Sequence, residues 1–476
     1  MNDDLHRILI KGGVTSPGEL KDSISMLEAA GLCEVHFGSR QDLLFPLNRK
    51  DETPLERISK YNTDIVGERT YQNIVSSYVS ADIFEMTHWL KGSTYLYILE
   101  EFDYLPKLKI NITDPKQRLV PLYSGNLNFI ASEQEDYWYL YLNIPSWTSS
   151  EFYPVLIYSY DIVAISRAIE HYYPQAKDVP SLFEILNEVL DTNNKNIQKK
   201  LETPYLTFPY YEGVNRMGLD QYWLGLYWRN NRYDLQFLKD FCGFCLDNSI
   251  GKICITPWKS FIVKGIKQKY RSELERFIGQ RGINIRHSQL EMNWHLPVDD
   301  LEAFELKKFL VRNFDENDIS TYGLTFGISS DAGKRSHFAS IIIEKNQSTS
   351  VIKDFKVRPT YNVLHFKAFD PNTQVYVSHA QDVDQMELPS LLMELSKKYF
   401  KELGKTSLKK VEISENENIE IEVHQCESCM TIYDSSQGDE KNKVAVGVAF
   451  ENLPEEYRCP VCDAPSSNFN KVLLQI

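Results

Sequence analysis

The spacing of apolar residues along the chain predicts strands and helices in mixed order. Arg7–Ile10 is a short apolar run closed by glycines, which predicts a strand. Ser16 and Pro17 then form a typical helix start, and apolar residues at helical spacing continue as far as Gly31. Further strands are predicted at Val35–Phe37, Leu43–Phe45, Lys107–Ile112, Asn126–Ile130, Tyr137–Leu142, Tyr222–Trp228 and Ile253–Ile255. Such a mixture favours the α+β fold class.

Part of this pattern occurs twice in the chain. Leu20–Asp22 matches Leu238–Asp240 at a shift of 218 residues. Phe37–Leu47 aligns with Thr256–Ile266 without a gap, at a shift of 219. The near-constant shift and the matching apolar patterns indicate an ancient duplication, in which each copy begins strand, helix, strand.

Length and polar segments divide the chain into domains. The chain has 476 residues, of which 42% are hydrophobic and 25% charged, and this composition excludes a wholly disordered protein or a single small module. Asp191–Lys200 and Gly404–Glu422 have the composition of linkers. We therefore expect a first repeat over residues 1–200, a second over 201–410, and a small domain over 420–476.

Charge limits the classes of partner. The net charge is −14, which disfavours nucleic acid as a ligand because binding to phosphates relies on clustered cations. Val411–Ile476 holds 13 acidic and 4 basic residues, so this tail carries −9 of the total. The first residues lack the pattern of a signal peptide, and no apolar run is long enough to span a bilayer. We expect a cytoplasmic protein without a membrane partner.

The cysteines of the tail have the spacing of a metal site. Of the eight cysteines in the chain, four form two Cys-x-x-Cys pairs, which are separated by 29 residues. In a reducing compartment such pairs are metal ligands more often than disulfides. Four thiolates suit either zinc or a single iron, and the spacing alone leaves both metals open. The four candidate ligands are Cys426, Cys429, Cys459 and Cys462.

The tail resembles a known family. Cys426–Asp434 and Gly447–Asp463 resemble the two cysteine knuckles of rubredoxin and the segment that leads into the second. The resemblance implies one iron held by the four thiolates and cycling between ferrous and ferric states as a one-electron carrier. Met430 and Asp463 stand where rubredoxins usually have glycine, so we expect these two residues to adopt an unfavourable backbone φ.

The first 400 residues resemble the sirohaem sulfite and nitrite reductases, which are themselves internally duplicated. The segments that carry the resemblance are Ile10–Val14, Ser39–Gln41, Leu105–Lys109 and Ser124–Ala131. The resemblance implies a duplicated reductase-like module with mixed sheets. It also implies that Arg40, Lys107 and Lys109 face a cofactor or its bound anion.

The sequence lacks the ligands for the second cofactor of these reductases. These reductases ligate a four-iron cluster through cysteines that follow the second half, whereas this chain has no cysteine between Cys254 and Cys426. We therefore expect no four-iron cluster, no catalytic residues and an inherited scaffold. Cys242 and Cys245 fall in the helical pattern of the second repeat and are interpreted as buried apolar residues.

Three hypotheses for function follow. The first is an electron carrier rather than an enzyme, with one iron in the tail and a reductase-like scaffold that docks a redox enzyme of nitrate or nitrite assimilation. Its partners would be redox proteins, namely an electron-donating reductase and an acceptor enzyme. The second is a nitrite or sulfite reductase that retains sirohaem and is fed by its own rubredoxin domain. The third is an interaction protein with a zinc ribbon.

Overall fold

A computed structural model describes most of the chain. The described residues are 5–46, 63–64, 71–283, 293–329, 339–346, 351–352, 355–356, 359–412, 420–433, 435, 438–439, 441–445 and 447–475. The chain divides into two compact units, Met1–Tyr399 and Phe400–Ile476. Within the described residues, no helix combines the length and the apolar character needed to cross a bilayer.

Helices and strands alternate irregularly, as expected for the α+β class. The helices are α1 Pro17–Ala29, α2 Gly92–Glu101, α3 Ile162–Tyr172, α4 Val179–Val189, α5 Leu235–Asp247, α6 Arg271–Gln280, α7 Leu301–Glu316 and α8 Leu388–Glu412. The strands are β1 Leu5–Ile8, β2 Val14–Thr15, β3 Glu34–Phe37, β4 Leu43–Pro46, β5 Thr63–Asp64, β6 Val75–Ser76, β7 Ile110–Thr113, β8 Leu127–Ala131, β9 Tyr137–Leu142, β10 Glu151–Phe152, β11 Val155–Tyr158, β12 Lys195–Asn196, β13 Gly213–Met217, β14 Gln221–Leu226, β15 Tyr233–Asp234, β16 Ile253–Ile255, β17 Phe261–Lys267, β18 Trp294–His295, β19 Phe326–Ser329, β20 Ile341–Lys345, β21 Val351–Ile352, β22 Phe355–Lys356, β23 Tyr361–Phe366, β24 Tyr376–Val383, β25 Glu420–Cys426, β26 Ile432–Tyr433 and β27 Phe469–Gln475.

Two five-stranded sheets form the centre of the large unit and confirm the duplication. Their strand orders are β15-β3-β4-β1-β5 and β13-β14-β17-β16-β2. Helix α1 lies 218 residues before α5 at both of its ends. Ser16 caps α1 through the amide of Glu19, and Asp234 caps α5 through the amide of Phe237. A side-chain oxygen at each helix start satisfies an amide that the helix leaves unpaired.

The register of the ladders corrects one detail of the sequence alignment. Ile8 pairs with Leu43 in the first sheet, and Leu226 pairs with Phe261 in the second, so both partners are shifted by 218. The shift of 219 expected for Phe37–Leu47 was therefore wrong by one residue as far as Phe45. A bulge between Val263 and Ile266 then adds one residue to β17, and Leu47 lies outside the described residues. An alignment without a gap cannot represent such a bulge, and therefore only the ladder gives the register.

Each sheet contains one strand from the other repeat. Val14 of β2 pairs with Cys254 of β16, and Tyr233 of β15 pairs with Val35 of β3. Because each repeat completes the sheet of the other, the two copies form one shared core. That core includes side chains from both helices and both sheets, among them Leu20, Leu27, Phe37, Leu238, Phe241 and Phe261.

Each central sheet is followed in the chain by a mixed sheet of the same topology. In the first, β6, β7 and β8 are parallel, and β9 and β11 then follow antiparallel. In the second, β18, β19 and β20 are parallel, and β23 and β24 follow antiparallel. The duplication therefore extends beyond the segments that the sequence comparison found. Trp138 lies on β9 of the first of these sheets, and Tyr95 lies on α2. Both side chains are fully buried, and their rings contact each other.

The segment expected to be a linker is partly ordered. Helix α8 continues to Glu412, and strand β25 begins at Glu420. The prediction that Gly404–Glu422 is unstructured was therefore wrong at both ends. Most residues from Lys405 to Glu412 favour helix, and a charged sequence of that kind extends a helix as readily as it forms a linker. The domain boundaries at residues 200, 410 and 420 stay predictions.

Gln41 joins the first repeat to two neighbouring segments. Its side-chain amide donates to the carbonyl oxygens of Ser76 (3.1 Å) and Ile255 (2.9 Å), and its oxygen accepts from the Ser76 amide (2.8 Å). Gln41 is fully buried and adopts a positive φ of 59°. Its three hydrogen bonds hold the turn in this conformation.

Replacing Gln41 with leucine should destabilise the large unit. Gln41→Leu leaves buried polar groups of Ser76 and Ile255 without partners, and the free energy of unfolding should fall by about 3 kcal/mol. Gln236→Leu, on the exposed face of α5, is the matched control and should change it by less than about 0.5 kcal/mol. Equal effects of the two substitutions in urea unfolding would contradict this account.

Candidate metal centre

Two knuckle turns place the four cysteines of the small unit. Cys426 ends β25, and its amide donates to the Thr431 carbonyl (2.8 Å), while the Met430 amide donates to the Cys426 carbonyl (2.8 Å). The second turn repeats this pattern. The Cys459 amide donates to the Ala464 carbonyl (2.8 Å), and the Asp463 amide donates to the Cys459 carbonyl (2.9 Å). Each turn folds back tightly, so both of its thiols point the same way.

The four sulfur atoms converge on one point. All four Sγ atoms lie within 4.8 Å of one another, with 3.6 Å between Cys426 and Cys462 and 3.4 Å between Cys429 and Cys459. A tetrahedral ion with metal–sulfur bonds of about 2.3 Å requires sulfur–sulfur edges of roughly 3.8 Å. The donor set therefore fits a single tetrahedral metal ion with little adjustment.

Aromatic side chains form the small core of this unit. Tyr433 lies 5.8 Å from Tyr457, and Phe450 lies 5.1 Å from Phe469, measured between ring centroids. The Tyr433 hydroxyl donates to the Val448 carbonyl (2.8 Å). Such a small core leaves the domain dependent on the metal for much of its stability.

Backbone conformation at the knuckles matches the expectation from sequence. Met430 has φ 62° and Asp463 has φ 58°, the left-handed region that favours glycine. Lys441 braces the second turn, because its ammonium lies 3.6 Å from the Asp463 carboxylate and donates to the Pro460 carbonyl (2.7 Å). Sequence reasoning missed this lysine, since nothing in the spacing of the cysteines signals it.

Hydrogen bonds prepare the thiols for metal binding. The Thr431 hydroxyl, 3.1 Å from the Cys429 sulfur, and then the Thr431 amide lower the pKa of Cys429 to about 6. The Ala464 amide acts likewise on Cys462, but burial and hydrogen bonds from the other thiols outweigh it and raise the pKa of Cys462 to about 12. Metal ligands must be thiolates, so binding a metal here would release protons from the remaining thiols.

Comparison with known proteins assigns the centre. A rubredoxin family profile matches residues 423–469. The probable rubredoxin HupI of Bradyrhizobium diazoefficiens is 49% identical over 45 residues, and Rubredoxin-2 of Desulfovibrio desulfuricans is 44% identical over 45 residues. Each match covers 10% of this chain, with 65% of the first relative and 73% of the second. The chain belongs to the rubredoxin family through this domain.

The rubredoxin centre is thus arranged for one iron, held by the four cysteines. A rubredoxin of Synechocystis is 48% identical over 46 residues, and this chain spans 40% of it. The chain therefore covers less than two thirds of this relative and of HupI, while most of its own length lies outside the rubredoxin match.

The large unit has a different relative. The structure of the Mycobacterium tuberculosis NirA protein superposes with a TM-score of 0.60 at 12% identity, over 82% of this chain and 79% of that one. At this identity the likeness shows a shared fold. It confirms the α+β class, and it shows that the large unit shares the fold of the NirA protein.

The guanidinium of Arg40 is hydrogen-bonded to other groups of the protein. Its guanidinium donates to the Asn111 side chain (2.6 Å) and to the carbonyl oxygens of Asn73 (2.6 Å) and Ile110 (2.9 Å). Burial lowers its pKa to about 9, against the opposing effect of Asp42. The terminal nitrogens of Arg40 thus position the turn that contains it, and they do not fit the carboxylates of a sirohaem unless these bonds break.

Lys107 and Lys109 are both exposed and precede β7. The Lys109 amide donates to the Asn126 side chain (2.9 Å). Since Arg40 bonds Ile110, all three residues lie near one short segment of backbone. Their role toward an anion stays a prediction. Cys242 and Cys245 are fully buried on α5, and burial raises the pKa of both thiols, as expected for apolar residues.

Replacing a ligand should remove iron without unfolding the large unit. Cys459→Ser takes one of four ligands, so stoichiometric iron should be lost and the small unit should unfold. Melting of the large unit, followed by calorimetry, should keep its midpoint. Cys33→Ser, at an exposed thiol, is the control and should retain iron. A lower midpoint for the large unit would contradict the independence of the two units.

Replacing Met430 with glycine should stabilise the small unit. Met430→Gly relieves a left-handed conformation that costs a residue with a side chain about 1 kcal/mol, so iron should be released at a higher temperature. Ser428→Gly, in the same turn but without a positive φ, is the matched control and should bring no gain. Loss of the ferric–thiolate absorbance on heating measures both, and an equal gain in the two variants would refute the explanation.

Proposed function

We propose that the chain is an electron-transfer protein in which a reductase-like scaffold docks a redox enzyme. The observation that supports this most is the convergence of four thiolates within 4.8 Å in a domain of the rubredoxin family. One iron bound there supplies one-electron chemistry between its ferric and ferrous states. Cys426, Cys429, Cys459 and Cys462 would hold that ion, and both knuckle turns fix the positions of their sulfur atoms, so little rearrangement of the protein would oppose transfer.

One side of the centre is open to a partner. Cys462 is exposed, whereas Cys426 and Cys459 are completely buried. Exposed apolar side chains lie beside the ligands in both turns, with Met430 64% and Val461 69% accessible. An apolar patch beside an exposed ligand allows close approach and excludes water on docking. Electrons would pass through the Cys462 side of the domain.

The negative charge of the tail favours the approach of a basic partner. The segment Val411–Ile476 has a net charge of −9, which attracts a basic surface over distances of about a Debye length. Encounter with a basic redox enzyme should therefore be fast and sensitive to salt.

The scaffold supplies recognition in this proposal. The sequence has no cysteine from residue 255 to 425, so the large unit lacks the ligands for a cluster that follows its second repeat. The redox centre is then the iron of the small unit, and the reductase-like fold serves to bind an enzyme of nitrate or nitrite assimilation. The exposed Lys107 and Lys109 are offered as part of that docking surface.

Absorption of the purified, untagged protein tests the proposal. We expect ferric–thiolate bands that bleach on reduction, with one iron per chain. Additional bands of a tetrapyrrole would instead indicate a sirohaem reductase fed by its own rubredoxin domain. A colourless protein with one zinc per chain would overturn electron transfer and favour the zinc-ribbon hypothesis.

The pathway needs a separate test. The reduced protein should be reoxidised by nitrite only when the nitrite-reducing enzyme of its host is present, and the rate should fall as salt is raised. A Lys107→Gln, Lys109→Gln double variant should dock more weakly while its iron spectrum is unchanged. Unaltered rates in that variant would exclude these lysines from the docking surface.

A further inference from the structure

The second half of the large unit contains a cavity of about 280 Å³. It lies between the turn that ends β16, the strand β18 and the start of α7. Its lining includes Lys259, Lys307, Tyr227, Trp258 and Trp294. Arg232 and Phe304 also line it, so three cationic and four aromatic side chains surround this space. Such a lining is unusual inside a protein, because burying an ammonium group is costly.

Lys259 is the central residue of this cavity. It is only 6% accessible, and its backbone has a positive φ of 61°. Within the described part of the chain its ammonium makes no hydrogen bond or ion pair. Lys259 lines the cavity, so its ammonium is available to a ligand that enters there.

The residue equivalent to Lys259 in the first repeat has a structural role. Gln41 precedes Lys259 by 218 residues and has almost the same φ, 59°. Gln41 bonds both backbone groups of Ser76, at the end of β6. The second repeat has lysine instead of glutamine, and the counterpart strand β18 ends in His295. The hydrogen bonds that fix the first turn have been replaced by a cation that faces a cavity.

Three carboxylates also line the cavity, and each of them has a partner other than Lys259 or Lys307. Asp299 pairs with Arg232 (2.9 Å), Asp300 accepts from the amide of Ala303 at the start of α7 (3.0 Å), and Glu305 pairs with Lys308 (2.9 Å). These carboxylates are therefore committed elsewhere. Lys307 is 2% accessible, and the amino-terminal end of α7 adds positive potential.

The aromatic walls indicate what else the ligand contains. Trp258 and Trp294 are 2% and 4% accessible, and the Trp294 indole N–H is buried without an acceptor among the described residues. A ligand that only accepts hydrogen bonds would satisfy both this N–H and the ammonium of Lys259. We propose that the cavity binds a small organic oxyanion, whose charged group lies against Lys259 and Lys307 and whose apolar part lies against the aromatic walls.

Protonation supports this assignment. Burial, and then the charge of Lys307, lower the pKa of Lys259 to about 7. Burial and the charge of Lys259 hold the pKa of His295 well below its usual value, so the imidazole is neutral. A bound anion favours the ammonium form of Lys259 and raises its pKa. Binding at pH 8 should therefore take up a proton, and affinity should fall as the pH rises through 7.

Calorimetric titration of the full chain tests the proposal. Phenyl phosphate is the probe, and inorganic phosphate is the arm that lacks an apolar part. We expect phenyl phosphate to bind about tenfold more tightly than phosphate and to take up a proton at pH 8, seen as a dependence of the heat on buffer ionisation. Absence of binding at millimolar concentration, or equal affinity for the two anions, would overturn the proposal.

Two variants locate the site. Lys259→Gln introduces the residue of the first repeat, and the affinity for phenyl phosphate should fall at least about tenfold. Lys269→Gln removes the same charge from an exposed position and should retain binding. The melting temperature of Lys259→Gln should be unchanged or higher, because a buried ammonium opposes folding. Binding that survives in Lys259→Gln would place the anion elsewhere and contradict the proposal.

Discussion

The convergence of four thiolates on one ion is the constraint on which the small unit depends. The two knuckle turns bring the sulfur atoms within 4.8 Å of one another, and without a metal this would concentrate titrating thiols at one point. The same requirement explains the left-handed conformations of Met430 and Asp463. Because the aromatic core is small, the metal–thiolate bonds supply much of what holds β25, β26 and β27 together. In the proposed function, electrons would pass beside Cys462, the most exposed of the four ligands.

The large unit is held together in another way. Each repeat donates a short strand to the sheet of the other, and Gln41 adds hydrogen bonds between segments distant in sequence. Arg40 adds further hydrogen bonds of this kind, to the carbonyl oxygens of Asn73 and Ile110. The duplication also gives an internal comparison. At equivalent positions Gln41 satisfies the backbone, while Lys259 leaves a cation beside a cavity.

The sequence predicts what depends on local pattern. The spacing of the four cysteines, the cap at Ser16, the strand Tyr137–Leu142 and the strained knuckle residues all follow from short segments, and the structure contains each of them. The sequence showed the shift of 218 at Leu20–Asp22, but it could not show the strand exchange, because each exchanged strand pairs with residues that are far away in sequence. Lys259 was also missed, since burial of a lysine depends on α7 and β18, which lie far along the chain. Helix α8 shows that a charged segment is a poor guide to a linker.

The central claim is that the four thiolates hold one redox-active iron. Coulometric titration of the purified protein, with iron and zinc counted in the same sample, tests it most directly. The account predicts one electron taken up per chain, reversibly, with one iron per chain and the loss of both in Cys459→Ser. Uptake of no electron by a protein that carries one zinc per chain would contradict it.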